Sequence, residues 1–91
     1  MNIQKIHKAL DEDQDNSALG IICNQLEEQG YGVNIDGKPV SSRGFFNGEY
    51  SEIEKKLGSL RLSLIKRNNL EQEFVIEFTD FHKFVIKSVG Q

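Results

Sequence analysis

The sequence predicts an α+β domain in which one antiparallel sheet packs on a main helix, and three observations carry that expectation. Apolar residues recur at helical spacing early in the chain, they alternate with polar residues in the last third, and an Asp-Gly pair separates two short alternating runs between them. The predicted order is α-α-β-β-α-β-β-β: two helices, a β-hairpin, a short helix and a three-stranded antiparallel meander. One sheet face should lie on the second helix and the other should be mostly solvated.

Residues 2–10 place Ile3, Ile6 and Leu10 on one helical face, and the acidic run 11–15 interrupts that pattern. A second helix over 16–29 starts at Asn16 or Ser17, either of which can cap free N–H groups. It carries Ala18, Ile22 and Leu26 inward and ends at Gly30 as a left-handed cap. Tyr31, Val33 and Ile35 alternate with polar positions up to Asp36-Gly37, a type I′ turn, which pairs Val33 with Val40. Pro39 has no N–H for a ladder and marks a short edge strand. A loop over 41–50 follows, then a capping box at Ser51–Glu54 and a short helix with Ile53 and Leu57 inward, ended by Gly58.

The meander is written by Leu60, Leu62, Leu64, then Phe74, Ile76, Phe78, then Phe84 and Ile86. Placing Phe78 beside Phe84 and Ile76 beside Ile86 requires an odd connection, Asp80-Phe81-His82. That register sets Glu77 diagonal to Lys83 and Lys87. For the preceding turn two loops fit, 67–69, which gives Asn69 the left-handed position, and 68–70, which pairs Arg61 with Glu77.

At 91 residues the chain makes one domain, residues 1–91, with a thin core. Leu, Ile, Val and Phe total 28, too many for a disordered segment. The net charge of -3 is layered: residues 1–36 hold two bases and seven acids, whereas 37–91 hold nine bases and seven acids. The acidity disfavours a nucleic-acid partner, whose affinity comes largely from phosphate neutralisation. The longest apolar stretch, 18–23 including Gly20, falls far short of the roughly 20 residues of a membrane span. A single cysteine, Cys23, excludes an internal disulfide, and no secretory leader pattern opens the chain, so the expected setting is cytoplasmic.

Two motifs carry possible chemistry. Asp11, Asp13 and Asp15 match the opening of a calcium loop, yet its sixth position is Asn16 and its twelfth is Ile22 instead of a bidentate glutamate. These three acids are therefore weak metal candidates, and a solvated interhelical turn whose acids favour the next helix's N-terminus accounts for them better. Arg43, Gly44, Phe45 and Tyr50 partly match the strand signature of the RNA-recognition motif, but Phe46, Asn47 and Gly48 break it, removing a base-stacking aromatic and adding turn residues.

His7 and His82 have no metal-ligand spacing, Cys23 sits in an apolar helical run, and no nucleophile elbow or phosphate loop is present. No catalytic residue and no cofactor is expected. Ile65, Val75 and Val85 alternate onto the face opposite the leucine and phenylalanine set. The expected function is a non-catalytic interaction domain that binds a protein partner, or a second copy of itself. Its contacts run through that outer sheet face (Ile65, Val75, Val85) or the 41–50 loop (Arg43, Phe45, Phe46, Tyr50). The alternative is a small-ligand or metal-binding regulator using the acidic 11–16 turn.

Overall fold

The computed structural model describes residues 3–13, 15–55, 58–80 and 83–88. Helices α1 (Ile3–Glu12) and α2 (Ala18–Glu28) precede strands β1 (Gly32–Ile35) and β2 (Lys38–Val40). Short helices α3 (Ser42–Phe46) and α4 (Ser51–Glu54) lead into β3 (Gly58–Lys66), β4 (Asn69–Asp80) and β5 (Lys83–Ser88). The strands form one five-stranded antiparallel sheet in the order β2-β1-β3-β4-β5, so the α+β class holds. Leu57, Phe81 and His82, which the sequence placed in the short helix and the last turn, lie outside the described residues.

Helix α2 is defined at both ends by local chemistry. The Ser17 hydroxyl accepts from the Gly20 N–H at 3.0 Å. At the other end Gly30 takes a φ of +92°, and the Tyr31 and Gly30 N–H groups donate to the Leu26 and Glu27 carbonyls at 3.1 and 3.0 Å. This paired closure satisfies carbonyls that a helix end otherwise leaves open. The inward face of α2 buries Leu19, Ile22, Cys23 and Leu26 against Val33, Ile35, Leu60, Leu62, Leu64, Phe74 and Ile76 of the sheet. Ile6 of α1 joins the same cluster, and His7 stacks on Phe84 at 6.1 Å between ring centroids. Both long helices thus contribute to the layer on one side of the sheet.

Three differences from expectation have physical causes. The 41–50 loop contains α3, because Ser41 caps the Gly44 N–H at 3.2 Å while Glu27 of α2 accepts from the Ser42 N–H and hydroxyl at 3.0 and 2.5 Å. That second contact spans 15 residues and leaves no local trace in the sequence. The capping box is not made: Tyr50 is the cap residue of α4, with no side-chain bond, and Ser51 is already helical. Asp11 and Glu12 belong to α1 instead of interrupting it.

The strand registers are met by an unexpected device. Val33 faces Val40, Leu62 faces Phe74, Ile76 faces Ile86 and Phe78 faces Phe84. Neither three-residue loop joins β3 to β4, however. Arg67 and Asn68, with φ of 53° and 64°, make a two-residue turn, and an irregularity between Leu64 and Ile65 absorbs one residue. Past it the register equals that of the 67–69 loop, so Arg61 faces Val75 and pairs with Glu73 at 3.7 Å, not with Glu77. At the other end of β4 the odd residue is likewise absorbed between Phe78 and Asp80, with Asp80 opposite Lys83.

Two outcomes follow from this packing. Ile22→Ala, which empties a fully buried site, lowers the unfolding free energy in urea by about 2–5 kcal/mol. Replacing Arg67-Asn68 by Asn-Gly, through Arg67→Asn with Asn68→Gly, raises it by about 1 kcal/mol because a β-carbon is costly at positive φ and Asn-Gly fits the turn. A loss of stability in that turn variant contradicts the two-residue turn.

Candidate functional site

The outer sheet face is assembled by the ladder itself. Residues that alternate with the buried leucines and phenylalanines point away from the helices, and the registers place them in rows: Gly32, Ile65 and Leu70; then Asn34, Ser63 and Glu73; then Arg61, Val75 and Lys87; then Ser59, Glu77 and Val85. Ile65 and Val75 are half-buried by their neighbours, whereas Val85 is 48% exposed. Exposed ion pairs cross the face, Arg61 to Glu73 at 3.7 Å and Lys87 to Glu77 at 3.3 Å, and pairs of this kind contribute little to stability.

Leu70 is the residue that sequence reasoning missed. It is 55% exposed and faces Ile65, making the most open apolar corner of this surface. Strict alternation with Gln72 and Phe74 assigns Leu70 to the inner face, and the irregularity beside Gln72 turns it outward. A bulge adds no residue type of its own, so the only available signal was the left-handed preference of Asn68 in a tight turn.

The 41–50 segment divides its aromatics. Phe45 is buried in the core and meets Tyr50 edge-on at 4.9 Å, while Phe46 lies over Gly20 and remains 47% exposed. The closest approaches explain both glycines: a β-carbon on Gly44 would stand 2.2 Å from the Tyr50 ring, and one on Gly20 would stand 2.7 Å from the Phe46 ring. The partial RNA-binding signature is thus a helical turn whose glycine seats a tyrosine, not a strand with a stacking platform. Of the four residues singled out here, Arg43 and Phe46 face solvent, Tyr50 is half-buried beneath Lys38 at 5.5 Å, and Phe45 is inside.

The acidic turn is organised by its own donors. The Asp13 carboxylate accepts from the Asp15 and Asn16 N–H groups, both at 3.3 Å, and from the Asn16 side-chain amide at 2.7 Å. The Asn16 amide chiefly holds the Asp13 carboxyl below its ordinary value. Asp11 stands in the last turn of α1 and Asp15 is exposed. No group of three or more His, Cys, Asp or Glu among the described residues is placed to hold a metal ion.

Cys23 is fully buried, and that burial, with a smaller effect of the Glu27 charge, pushes its thiol up to about 12. A nucleophilic cysteine needs the opposite shift. Among the described residues no helix is long and apolar enough to cross a membrane. No family model, no curated protein and no solved structure matches the chain.

Three measurements check these placements. Gly44→Ala destabilises the fold by about 1–3 kcal/mol, as overpacking against Tyr50 requires, and a neutral effect contradicts the seating. Iodoacetamide at about pH 8 leaves Cys23 unmodified until denaturant unfolds the chain. In an NMR titration Asn16→Ala raises the Asp13 pKa toward the ordinary carboxylate value; an unchanged value contradicts the bond that organises the turn.

Proposed function

We propose that the chain is a non-catalytic cytoplasmic interaction domain that docks a protein through the outer face of its sheet. One observation carries this reading: the helices pack on the inner face, and the opposite face presents Ile65, Leu70, Val75 and Val85 between charged residues. Apolar side chains set in a charged rim have the composition of a protein-binding surface, in which the apolar positions supply affinity and the rim supplies orientation. The 41–50 segment offers less, since Phe45 and Tyr50 are spent on internal packing. The acidic turn offers a ligand little, because the Asp13 oxygens are already bonded within the turn.

The test pairs two variants of the full chain as affinity baits in extract of its native host. Leu70→Glu with Val85→Lys, which sets a lysine opposite Glu77, leaves the thermal midpoint nearly unchanged, as exposed positions allow, and loses the proteins that the unaltered chain retains. Phe46→Ser retains them. Retention by the sheet variant together with loss in Phe46→Ser moves the docking surface to α3. Light scattering on the unaltered chain reads whether the partner is a second copy.

A further inference from the structure

We propose that the free edge of β5 receives an acidic, extended segment of a partner protein as a sixth strand of the sheet. The proposal rests on the interaction-domain reading and specifies the shape and charge of what is bound. The two edges of this sheet are not equivalent. At one edge β2 has three residues, and Pro39 within it lacks an N–H, so that edge is blunted against pairing. At the other edge β5 has six residues and no proline, and among the described residues β4 is its only strand neighbour. About half of the β5 main-chain N–H and C=O groups therefore point away from the sheet, with no ladder partner among the described residues.

The charge of β5 selects the occupant. It carries Lys83 and Lys87 and no acid. Its existing neighbour shows what Lys87 accepts: on the outer face β4 carries Glu73, Val75 and Glu77, with Phe74 and Ile76 between them on the inner face, and Lys87 meets Glu77 at 3.3 Å. The Lys87 side chain stays 58% exposed, and its ammonium has three donors, so it can serve a second carboxylate from the open side. On the inner side Phe84 and Ile86 are only half-buried, and apolar residues of an added strand would lie beside them and extend the core. The fitting segment alternates acidic and apolar residues over five or six positions.

A second copy fits the same edge poorly. An antiparallel pairing of β5 with itself centred on Val85 sets Lys83 opposite Lys87 of the other copy. Centring it on Ile86 sets Lys87 opposite Val85 and leaves the lysines of both copies near one another without acids between them. Like charges across a ladder are destabilising, whereas an acidic strand removes the conflict.

The test uses the full isotopically labelled chain and two capped hexapeptides, one alternating glutamate with valine and the other lysine with valine. The acidic peptide binds about tenfold more tightly than the basic one. It slows amide exchange in β5 about tenfold or more while leaving β1 and β2 unchanged. Lys87→Gln, an exposed change that removes the charge without setting a second carboxylate beside Glu77, reduces that preference at least threefold. Equal binding of the two peptides, or no binding of either at millimolar concentration, overturns the edge proposal and leaves the face reading to its bait experiment. Protection at Ile65 and Leu70 without protection in β5 overturns the edge and supports the face. Protection of β5 without peptide, rising with protein concentration, shows that a second copy takes the edge and also overturns it.

Discussion

The register of β3 on β4 is the constraint on which the rest of the molecule depends. Leu60 opposite Ile76 and Leu62 opposite Phe74 put the largest apolar side chains of two adjacent strands on one face, beneath α2. Because side chains alternate strictly, a slip of β4 by one residue would expose Phe74, Ile76 and Phe78 and bury Glu73 and Glu77. Burying a leucine or phenylalanine side chain is worth about 1.5–3 kcal/mol, so such a slip would cost more than the whole stability of a small domain. The helices, the hairpin of β1 with β2 and the placement of β5 all take their positions from this one ladder.

What protects that register is a pair of irregularities, one near each end of β4. Each absorbs one residue while preserving the parity that the inner face demands, and the first allows the two-residue turn at Arg67 and Asn68. The alternation of Phe74, Ile76, Phe78 with Phe84 and Ile86 made the parity legible in the sequence, and the β4–β5 pairs follow from it. Where the extra residue sits was not legible. A bulge or a longer loop satisfies the same parity, and the choice depends on how well Arg67 and Asn68 tolerate positive φ against the cost of a disrupted ladder. The consequence reaches function, because Leu70 faces outward only through that bulge.

The helical half was readable in proportion to how local its causes are. Ser17, Gly30 and the Asp36-Gly37 turn act within a few residues, and each does what its type predicts. Helix α3 depends instead on Glu27 reaching Ser42 across the α2–α3 interface, and Gly20 and Gly44 are set by aromatic rings distant from a simple periodicity. The layered charge has a similar origin. The acids of the first 36 residues lie mainly on α1, the turn after it and the end of α2, which leaves the sheet close to balance. Arg61, Glu73, Glu77 and Lys87 then form a mixed rim around the outer apolar positions.

The central claim is that the helices cover one face only and leave Leu70, Val75 and Val85 available in the isolated chain. Methyl relaxation in the presence of a soluble gadolinium chelate measures this directly. The chelate should strongly broaden the methyl signals of Leu70 and Val85, affect Val75 less, and leave Leu62, Leu64 and Ile76 sharp. If the Leu70 and Val85 methyls stay as sharp as those of Leu62 and Ile76, the outer face is already covered and the account is wrong.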